Sequence, residues 1–318
     1  MSREQGSEVD LTTTIGSVTL PNPVLTASGT AGHGAELAAY FDLGSLGAAV
    51  VKSLAAEPWA GNPALRVHET TGGMINSVGL QGPGVEVWLE HDLPPLLATG
   101  ARVVASIWGR SVAEYEAAAR LLADAPAGVV AVEVNLSCPN TEAARDLFAH
   151  SEAATADAMA ATAACGRPRW AKLSPNVTDL VPIAAAAQRA GAEAVTLVNT
   201  VLAMAIDPES GSYRLGSGPR GGGLSGPAIH PVAVRAVHDV HAALPGLPIV
   251  GVGGVASGAD AAELLLAGAC AVQVGTATFA DPRAPARVLR ELHAWAHRTR
   301  RTRMRDIVGQ AHGRQTSP

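Results

Sequence analysis

Apolar strand patterns alternate with helical patterns along most of the chain. Eight short apolar runs begin near residues 24, 48, 102, 129, 169, 193, 247 and 270, and helical patterns follow most of them. Eight strand–helix units predict an α/β fold of the (β/α)8 TIM-barrel type. A doubly wound open sheet is the alternative. The lack of a G-x-G-x-x-G motif at the first helix disfavours it.

The chain length fits a single domain. A chain of 318 residues could form two domains, but an α/β barrel of this size fits one. The Gly- and Pro-containing passages 57–95 and 205–227 are predicted to be long loops over the C-terminal face. We therefore predict one barrel domain, 1–318. Its basic C-terminal extension, 298–318, either stays solvated or contacts an acidic partner through its arginines.

Composition excludes several classes of protein. The net charge of -5 predicts neither a nucleic-acid nor a membrane-surface partner, and no apolar run is long enough for a transmembrane helix. The polar, acidic first ten residues are unlike a signal peptide. Three cysteines do not make a disulfide framework or a four-thiolate iron–sulfur site, which favours the reducing cytoplasm. The histidines lack H-x-x-H spacing, so we predict no metal.

Polar residues and glycines stand where the predicted strands end. The active site of a barrel lies at these C-terminal strand ends. The buried ammonium groups of Lys52 and Lys172 would be unfavourable unless paired, so we expect them to face an anion or an electron-rich ligand. Alternatively, both lysines extend to solvent at the rim. In strand order, the ends are Ser28, Lys52, Ser106, Asn135, Lys172, Asn199, Gly253-Gly254 and Gly275-Thr276.

The glycines after the last two strands indicate a phosphate-bearing ligand. Barrels often bind phosphate through backbone N–H groups of these two loops, and glycine lets the backbone approach the anion closely. Tight turns need glycine as well. The amides of Asn76, Asn135, Asn140 and Asn199 suit a flat ring with several heteroatoms and a carboxylate. Individually, each asparagine could instead be a turn or cap residue.

Cys138 is the candidate for chemistry. It follows the apolar run 129–134, precedes Pro139, and stands between Asn135 and Asn140. Proline blocks continued strand pairing, so Cys138 is predicted to lie on a loop just beyond a strand end. The alternative is a small buried cysteine, which is the role expected for Cys165 and Cys270.

These motifs together resemble the dihydroorotate dehydrogenases, the flavin enzymes of pyrimidine synthesis. The resemblance extends from about Pro21 to His312, and its most specific part is the N-L-S-C-P-N sequence at 135–140. The other matching segments are 27–30 (A-S-G-T), 61–63 (G-N-P), 75–81 (I-N-S-V-G-L-Q), 172–176 (K-L-S-P-N), 199–200 (N-T), 224–228 (L-S-G-P-A) and 253–254 (G-G).

The resemblance implies a barrel that binds FMN at its mouth and oxidises dihydroorotate to orotate. Cys138 would be the base that removes a proton from the substrate ring, while the neighbouring ring carbon gives a hydride to FMN. Residues implied to contact FMN are Ser28, Lys52, Ser53, Asn135, Lys172, Val198, Gly226, Gly253, Gly254, Gly275 and Thr276. Residues implied to bind the pyrimidine are Lys52, Asn76, Ser77, Val78, Gly79, Leu80, Asn135, Asn140, Asn199 and Thr200.

The resemblance also bears on the electron acceptor. Cysteine at position 138, where the membrane-linked class has serine, implies the soluble class. The segments 80–85 and 174–179 resemble the NAD-linked subclass, which works with a second subunit carrying FAD and a 2Fe-2S cluster. This implies a homodimer or a heterotetramer. The fumarate-using subclass is the alternative.

Two departures from the family pattern leave other functions open. Ser106 stands where relatives often have an asparagine that contacts flavin, and the segment 141–146 lacks the glycines that many relatives carry there. One alternative is a related dihydropyrimidine dehydrogenase acting on uracil or thymine. Another is a non-catalytic barrel that only binds a phosphate ligand, in which Cys138 would be structural.

Overall fold

The computed structural model describes residues 9–137 and 148–313. Parallel strands in this part of the chain form the predicted barrel, and antiparallel strands form two smaller sheets. In chain order the strands are β1 (Thr13–Ile15), β2 (Val18–Leu20), β3 (Val24–Thr26), β4 (Ala49–Val50), β5 (Val67–Thr70), β6 (Gly73–Asn76), β7 (Val103–Ile107), β8 (Val129–Asn135), β9 (Arg169–Lys172), β10 (Ala194–Leu197), β11 (Val201–Ala203), β12 (Gly222–Ser225), β13 (Ile249–Val252) and β14 (Ala271–Val274).

The barrel is an eight-stranded parallel sheet in the order β3-β14-β13-β10-β9-β8-β7-β4. Its two end strands, β3 and β4, meet through a single parallel bridge between Leu25 and Ala48. The buried Thr26 hydroxyl strengthens this junction, because it accepts from Val50 N at 2.8 Å and donates to Val50 O at 3.1 Å. The prediction of a (β/α)8 barrel is therefore confirmed.

Helices surround the barrel, as the alternating sequence pattern predicts. Their apolar faces and the outward side chains of the strands, such as Val132 and Val134, form the larger core. The helices are α1 (Val85–Val87), α2 (Leu93–Ala98), α3 (Val112–Leu121), α4 (Glu152–Ala161), α5 (Val181–Arg189), α6 (His230–Ala243), α7 (Gly258–Ala267), α8 (Ala277–Ala280) and α9 (Ala284–Arg298). A π-helical turn, Trp88–Asp92, connects α1 to α2.

The inside of the barrel is apolar at the N-terminal ends of the strands. Side chains including Val104, Ala131 and Trp170 form a second buried cluster there, which the β1–β2 hairpin covers with Ile15 and Leu20. The hairpin is also fixed by polar contacts: Thr13 Oγ1 donates to Cys270 O at 2.6 Å, and Ser17 N donates to Glu193 Oε2 at 2.7 Å. One end of the barrel is therefore filled.

Over the opposite end lies a small antiparallel sheet in the order β11-β12-β6-β5. Its strands β5, β6 and β12 lie in the two passages that were predicted to be long loops, and β11 lies just before the second passage. The strand patterns there are only half-buried or alternate with exposed positions, as in β5 and β12. Because no apolar run marks them, the sequence did not predict these strands.

Several predicted helix boundaries need correction. The sequence pattern over 35–42 predicts a helix, but the described chain forms two short 3₁₀ turns there, Glu36–Ala39 and Leu43–Ser45. The pattern over 177–190 also predicts a helix, which begins only at Val181, because the Asp179 carboxylate accepts from Val181 N at 3.0 Å and Pro182 occupies the first turn.

The spacing of Ser111 and Glu114 predicts a capping box at the start of α3, and half of it is present. The Ser111 side chain accepts from Glu114 N, as this motif requires. The Glu114 carboxylate, however, accepts from Arg110 N at 2.7 Å and pairs with the Arg110 guanidinium. A neighbouring arginine has therefore replaced the reciprocal bond to the cap.

The C-terminal extension packs against the barrel in the part that the structure describes. After α9, the 3₁₀ turn Met304–Ile307 places Met304 and Ile307 in the larger core. Asp10 N donates to Thr302 O at 2.8 Å and Met304 N donates to Asp10 O at 2.9 Å, so the segment around Asp10 is held against this part of the extension.

Candidate active site

A cavity of about 390 Å³ lies between the C-terminal strand ends and the small sheet, and both polar and apolar residues line it. This volume lies in the range of small-molecule sites. The described residues that the sequence assigned to a site all line it. These are Ser28, Lys52, Ser53, Asn76, Ser77, Val78, Gly79, Leu80, Asn135, Lys172, Val198, Asn199, Thr200, Gly226, Gly253, Gly254, Gly275 and Thr276. The structure thus brings together residues from distant parts of the sequence.

Lys172 is the buried cation of this cavity. Its side chain is only 4% exposed, and its Nζ donates to Ser28 Oγ at 2.9 Å. The same ammonium lies 3.5 Å from Glu133 Oε1 and 3.5 Å from Gln273 Oε1. It is therefore paired inside the protein, as a buried lysine requires, and does not extend to solvent at the rim.

Glu133 and Gln273 escaped the sequence analysis. Both are fully buried inside the barrel, directly beneath the cavity floor. Gln273 Nε2 donates to Glu133 Oε2 at 2.6 Å, although the two residues are 140 positions apart. A signal did exist: a carboxylate within the apolar run 129–134 must face a partner, because an unpaired buried charge is very unfavourable.

Asn135 is the centre of a second hydrogen-bonded cluster of polar residues at the cavity. Its Nδ2 donates to Ser53 Oγ at 3.2 Å, and its Oδ1 accepts from Asn199 Nδ2 at 3.2 Å and from Ser137 N at 3.2 Å. The buried Tyr115 hydroxyl donates to Asn135 O at 2.6 Å. The amide is therefore held in one orientation, which is what binding to a ring edge requires.

Ser106 supports the hydrogen-bonded cluster around Asn135 through its contact with Ser53. It is fully buried and shares a hydrogen bond of 2.9 Å with Ser53 Oγ. It is not among the described residues that line the cavity. The structure therefore gives Ser106 the role of orienting Ser53.

The segment 76–80 forms one wall, and its backbone is fixed from outside the cavity. Asn62 N donates to Val78 O at 3.0 Å, and Trp59 Nε1 donates to Gly79 O at 3.0 Å. Leu80 adopts a left-handed conformation with φ of 62°. Such strain in a residue with a side chain persists only where the surroundings enforce it, and it is common in binding segments.

Asn176 supports the wall around Asn199 and Thr200. Its Nδ2 donates to Thr200 O at 3.0 Å, and its Oδ1 accepts from Leu202 N at 2.8 Å. Asn176 and Ser174 also line the cavity. The sequence analysis quoted the motif that contains them but gave them no role in the site.

Two glycines of the cavity lining, Gly254 after β13 and Gly226 after β12, pack closely against neighbouring residues. Gly254 has a φ of 70°, and a Cβ placed there would lie 2.6 Å from His230 Cβ. At Gly226, with a φ of 97°, a Cβ would lie 2.7 Å from Gly73 Cα. Side chains at these positions would collide with the neighbouring residues, so glycine is required for these turns to pack closely at the cavity wall.

Two predicted residues, Cys138 and Asn140, lie outside the described residues. The other two cysteines differ from a reactive thiol. Burial raises the pKa of the Cys165 thiol, which donates to Arg167 O at 3.7 Å. Burial also raises the pKa of the Cys270 thiol to about 12. Both are protonated at neutral pH and therefore poor bases or nucleophiles.

Two searches of the described residues bear on other classes of protein. In residues 9–137 and 148–313, no group of three or more His, Cys, Asp or Glu side chains could hold a metal ion. No helix in the same residues is both long and apolar enough to cross a membrane.

An eight-stranded parallel barrel whose lysine, amide and glycine residues surround one cavity at its C-terminal end defines a TIM-barrel enzyme. A sequence model of the family described as dihydroorotate dehydrogenase matches residues 10–295. The chain belongs to the dihydroorotate dehydrogenase family.

Individual relatives agree with this family but differ in subclass. The dihydroorotate dehydrogenase B (NAD(+)) catalytic subunit of Desulforudis audaxviator (strain MP104C) is 48% identical over 94% of this chain and 96% of the relative. The protein of the same name from Geobacter sp. (strain M21) is 46% identical over 90% and 93%. A Solibacter usitatus (strain Ellin6076) protein, provisionally named dihydroorotate dehydrogenase A (fumarate), is 46% identical over 94% and 97%.

Proposed function

We propose that this protein is a dihydroorotate dehydrogenase that oxidises dihydroorotate to orotate in pyrimidine synthesis. The observation that carries the proposal is the convergence of every described residue of the family's site pattern on one cavity. Family membership and the relatives' names support the same activity.

The cofactor of this family is a flavin, and we propose that it is FMN. The cavity fits such a group: Lys172 supplies a buried cation, and Gly226 and Gly254 contribute backbone to the lining at positions where no side chain is accommodated. Ser28, Gly253, Gly275 and Thr276 belong to the same wall and would hold the ring and the phosphate. When bound, the flavin supplies the redox chemistry by accepting a hydride.

The residues of the chain would bind and orient the substrate. Asn76, Asn135 and Asn199 offer amide donors and acceptors that match a pyrimidine ring edge, and Lys52 offers a cation for its carboxylate. We propose Cys138 as the base that removes the ring proton, on the strength of its place in the N-L-S-C-P-N motif. A cysteine with a pKa of ~8.5 is within reach of this task near neutral pH.

For the electron acceptor, we propose NAD through a partner subunit. Several relatives carry the name catalytic subunit of an NAD(+) enzyme, which implies a second subunit. We further propose that this subunit carries FAD and a 2Fe-2S cluster, that the assembly is a heterotetramer, and that it is cytoplasmic. Rapid turnover of the purified chain alone with fumarate would contradict the partner and favour the subclass of the Solibacter relative.

The visible spectrum of the purified chain, before and after anaerobic addition of dihydroorotate, tests the activity. We expect a flavin spectrum that bleaches on addition. Bleaching with dihydrouracil or dihydrothymine, and not with dihydroorotate, would assign the related dihydropyrimidine activity. If no flavin is present even after FMN is added, both the flavin and the dehydrogenase proposals are wrong.

A further inference from the structure

A carboxylate lies inside the barrel, immediately below the cavity. Glu133 is on β8, two residues before Asn135, so both side chains point to the barrel interior. The Glu133 side chain is 0% exposed. Its Oε1 lies 3.5 Å from Lys172 Nζ, which is an ion-pair distance and too long for a strong hydrogen bond.

The other carboxylate oxygen fixes the position of the group. Glu133 Oε2 accepts from Gln273 Nε2 at 2.6 Å and from Thr196 Oγ1 at 3.1 Å. The three partners of Glu133 come from β9, β10 and β14, so the carboxylate joins strands on different sides of the barrel. This arrangement leaves the carboxylate little freedom to rotate away from Lys172.

Glu133 can affect a ligand in the cavity through its ion pair with Lys172. The ammonium donates to Ser28 Oγ at 2.9 Å, and both Lys172 and Ser28 line the cavity, whereas Glu133 is not among the described residues that do. In a buried environment of low dielectric constant, the negative charge of Glu133 offsets much of the positive field that Lys172 would otherwise exert on a ligand.

We propose that Glu133 is a positioning residue of the active site, which holds Lys172 at the cavity floor and balances its charge, and thereby lowers the reduction potential of the bound flavin. The proposal rests on the proposed function, because it takes a flavin to be the ligand of the cavity. The proposal explains why a charged carboxylate lies inside the barrel, where burial of a charge is unfavourable unless the charge has a partner.

A purely structural role for Glu133 makes a different prediction. If the side chain only filled the interior and accepted hydrogen bonds, a glutamine of the same shape would serve nearly as well. If the charge matters, the Glu133→Gln variant should hold reduced flavin more tightly relative to oxidised flavin, because the Lys172 ammonium then stabilises the added negative charge without compensation.

The main experiment measures the midpoint potential of the bound flavin in purified wild type and in two variants, and a third variant is used to measure stability. For Glu133→Gln we expect a positive shift of at least about 30 mV, which is a tenfold change for a two-electron couple. The matched control is Thr196→Val, which removes one hydrogen bond to the carboxylate but keeps its charge. We expect the potential of Thr196→Val to stay close to that of wild type.

Equal potentials in wild type and Glu133→Gln would overturn the proposal. So would equal shifts in Glu133→Gln and Thr196→Val, since altered hydrogen bonding and not charge would then be the cause. A wild-type chain that binds no flavin would contradict the proposed function. The coupling between Glu133 and Lys172 would then be measured by urea unfolding.

The third variant measures this coupling. It also keeps the proposal testable if the Glu133→Gln chain does not fold. The double variant Glu133→Gln/Lys172→Met removes both charges of the pair. We expect it to unfold in urea at a higher concentration than Glu133→Gln, because a buried ammonium without a counter-charge is more unfavourable than an uncharged glutamine–methionine pair. No recovery in the double variant would show that the two side chains are not coupled and would overturn the proposal.

Discussion

Replacing Cys138 should separate ligand binding from chemistry. We expect Cys138→Ala to keep its flavin but to lose reduction by dihydroorotate by about 10²- to 10⁴-fold, which is the usual contribution of a general base. Anaerobic stopped-flow absorbance measures the rate.

The Cys165→Ala variant is the control for that experiment. It removes a thiol whose pKa is raised by burial, and Cys165 belongs to the larger core and does not line the cavity. We expect the rate of flavin reduction in this variant to equal that of wild type. Normal reduction in Cys138→Ala would remove Cys138 from the mechanism.

At the scale of single residues, the sequence predicted which polar residues would lie near one another. Lys52, Asn135, Lys172 and Asn199 each stand at the end of an apolar run, and all four line the cavity, while their binding roles stay predictions. Sequence reasoning failed for Glu133, whose partners become neighbours only when the barrel closes.

Among the structural elements, the wall formed by residues 76–80 depends on a contact from outside the cavity. Trp59 Nε1 donates to Gly79 O, its ring meets Trp108 edge to face, and the Arg110 guanidinium lies 4.5 Å from its centre. Trp59→Phe keeps an aromatic ring and removes only the N–H donor. We expect the KM for dihydroorotate to rise about 2- to 10-fold, the usual effect of one hydrogen bond, with unchanged flavin content.

Steady-state kinetics and the flavin-to-protein ratio check this expectation. Trp295→Phe, on α9, is the matched control, because Trp295 packs against the larger core and does not line the cavity. A KM in Trp59→Phe that equals the wild-type value would mean that the wall holds its shape without this bond.

A pH-sensitive contact joins the C-terminal element to α6. The His312 ring stacks on His238 at 4.1 Å and lies 4.9 Å from the His241 ring, and Asp239 pairs with His238 at 3.3 Å. Burial first, and then the charges of His312 and His238, lower the pKa of His241 from 6.5. The unfolded chain therefore binds more protons than the folded chain below about pH 6.5, and stability falls as the pH decreases through that range.

Urea unfolding at pH 7.5 and pH 5.5 measures this effect. We expect the free energy of unfolding to fall toward pH 5.5 in wild type, and to fall less in His241→Gln, which cannot take up the proton. His91→Gln is a control on an exposed histidine. An identical pH dependence in His241→Gln and wild type would contradict the role of His241.

The elements that sequence analysis missed share a physical cause. The strands of the barrel are buried on both faces and read as apolar runs, so their positions could be predicted. The strands of the small sheet are short and partly exposed, and β6 pairs with β12 from a segment about 150 positions away. Their pairing depends on the folded barrel beneath them, and no local pattern could reveal it.

For the molecule as a whole, the β1–β2 hairpin contributes stability apart from the cavity. Ile15 is fully buried in the cluster at the N-terminal end of the barrel. We expect Ile15→Ala to lower the free energy of unfolding by about 2–5 kcal/mol, because it leaves a void in a packed interior. Urea denaturation measures this loss, and flavin affinity should not change.

The exposed Thr14 of the same hairpin provides the control, and Thr14→Ala should cost less than about 0.5 kcal/mol. If Ile15→Ala weakened flavin binding as strongly as it weakened the fold, the two ends of the barrel would be coupled, and the inference that they act separately would fail.

The filled end of the barrel also limits where a ligand can enter. With Ile15 and Leu20 closing one end, the described residues fill the barrel on that side, and the cavity lies at the opposite end, where the small sheet meets the strand ends. In the proposed activity, we expect dihydroorotate to enter and orotate to leave at that same end, so that orotate departs before the next substrate molecule binds. The hairpin on the far side of the molecule thereby constrains the order of product release and substrate entry.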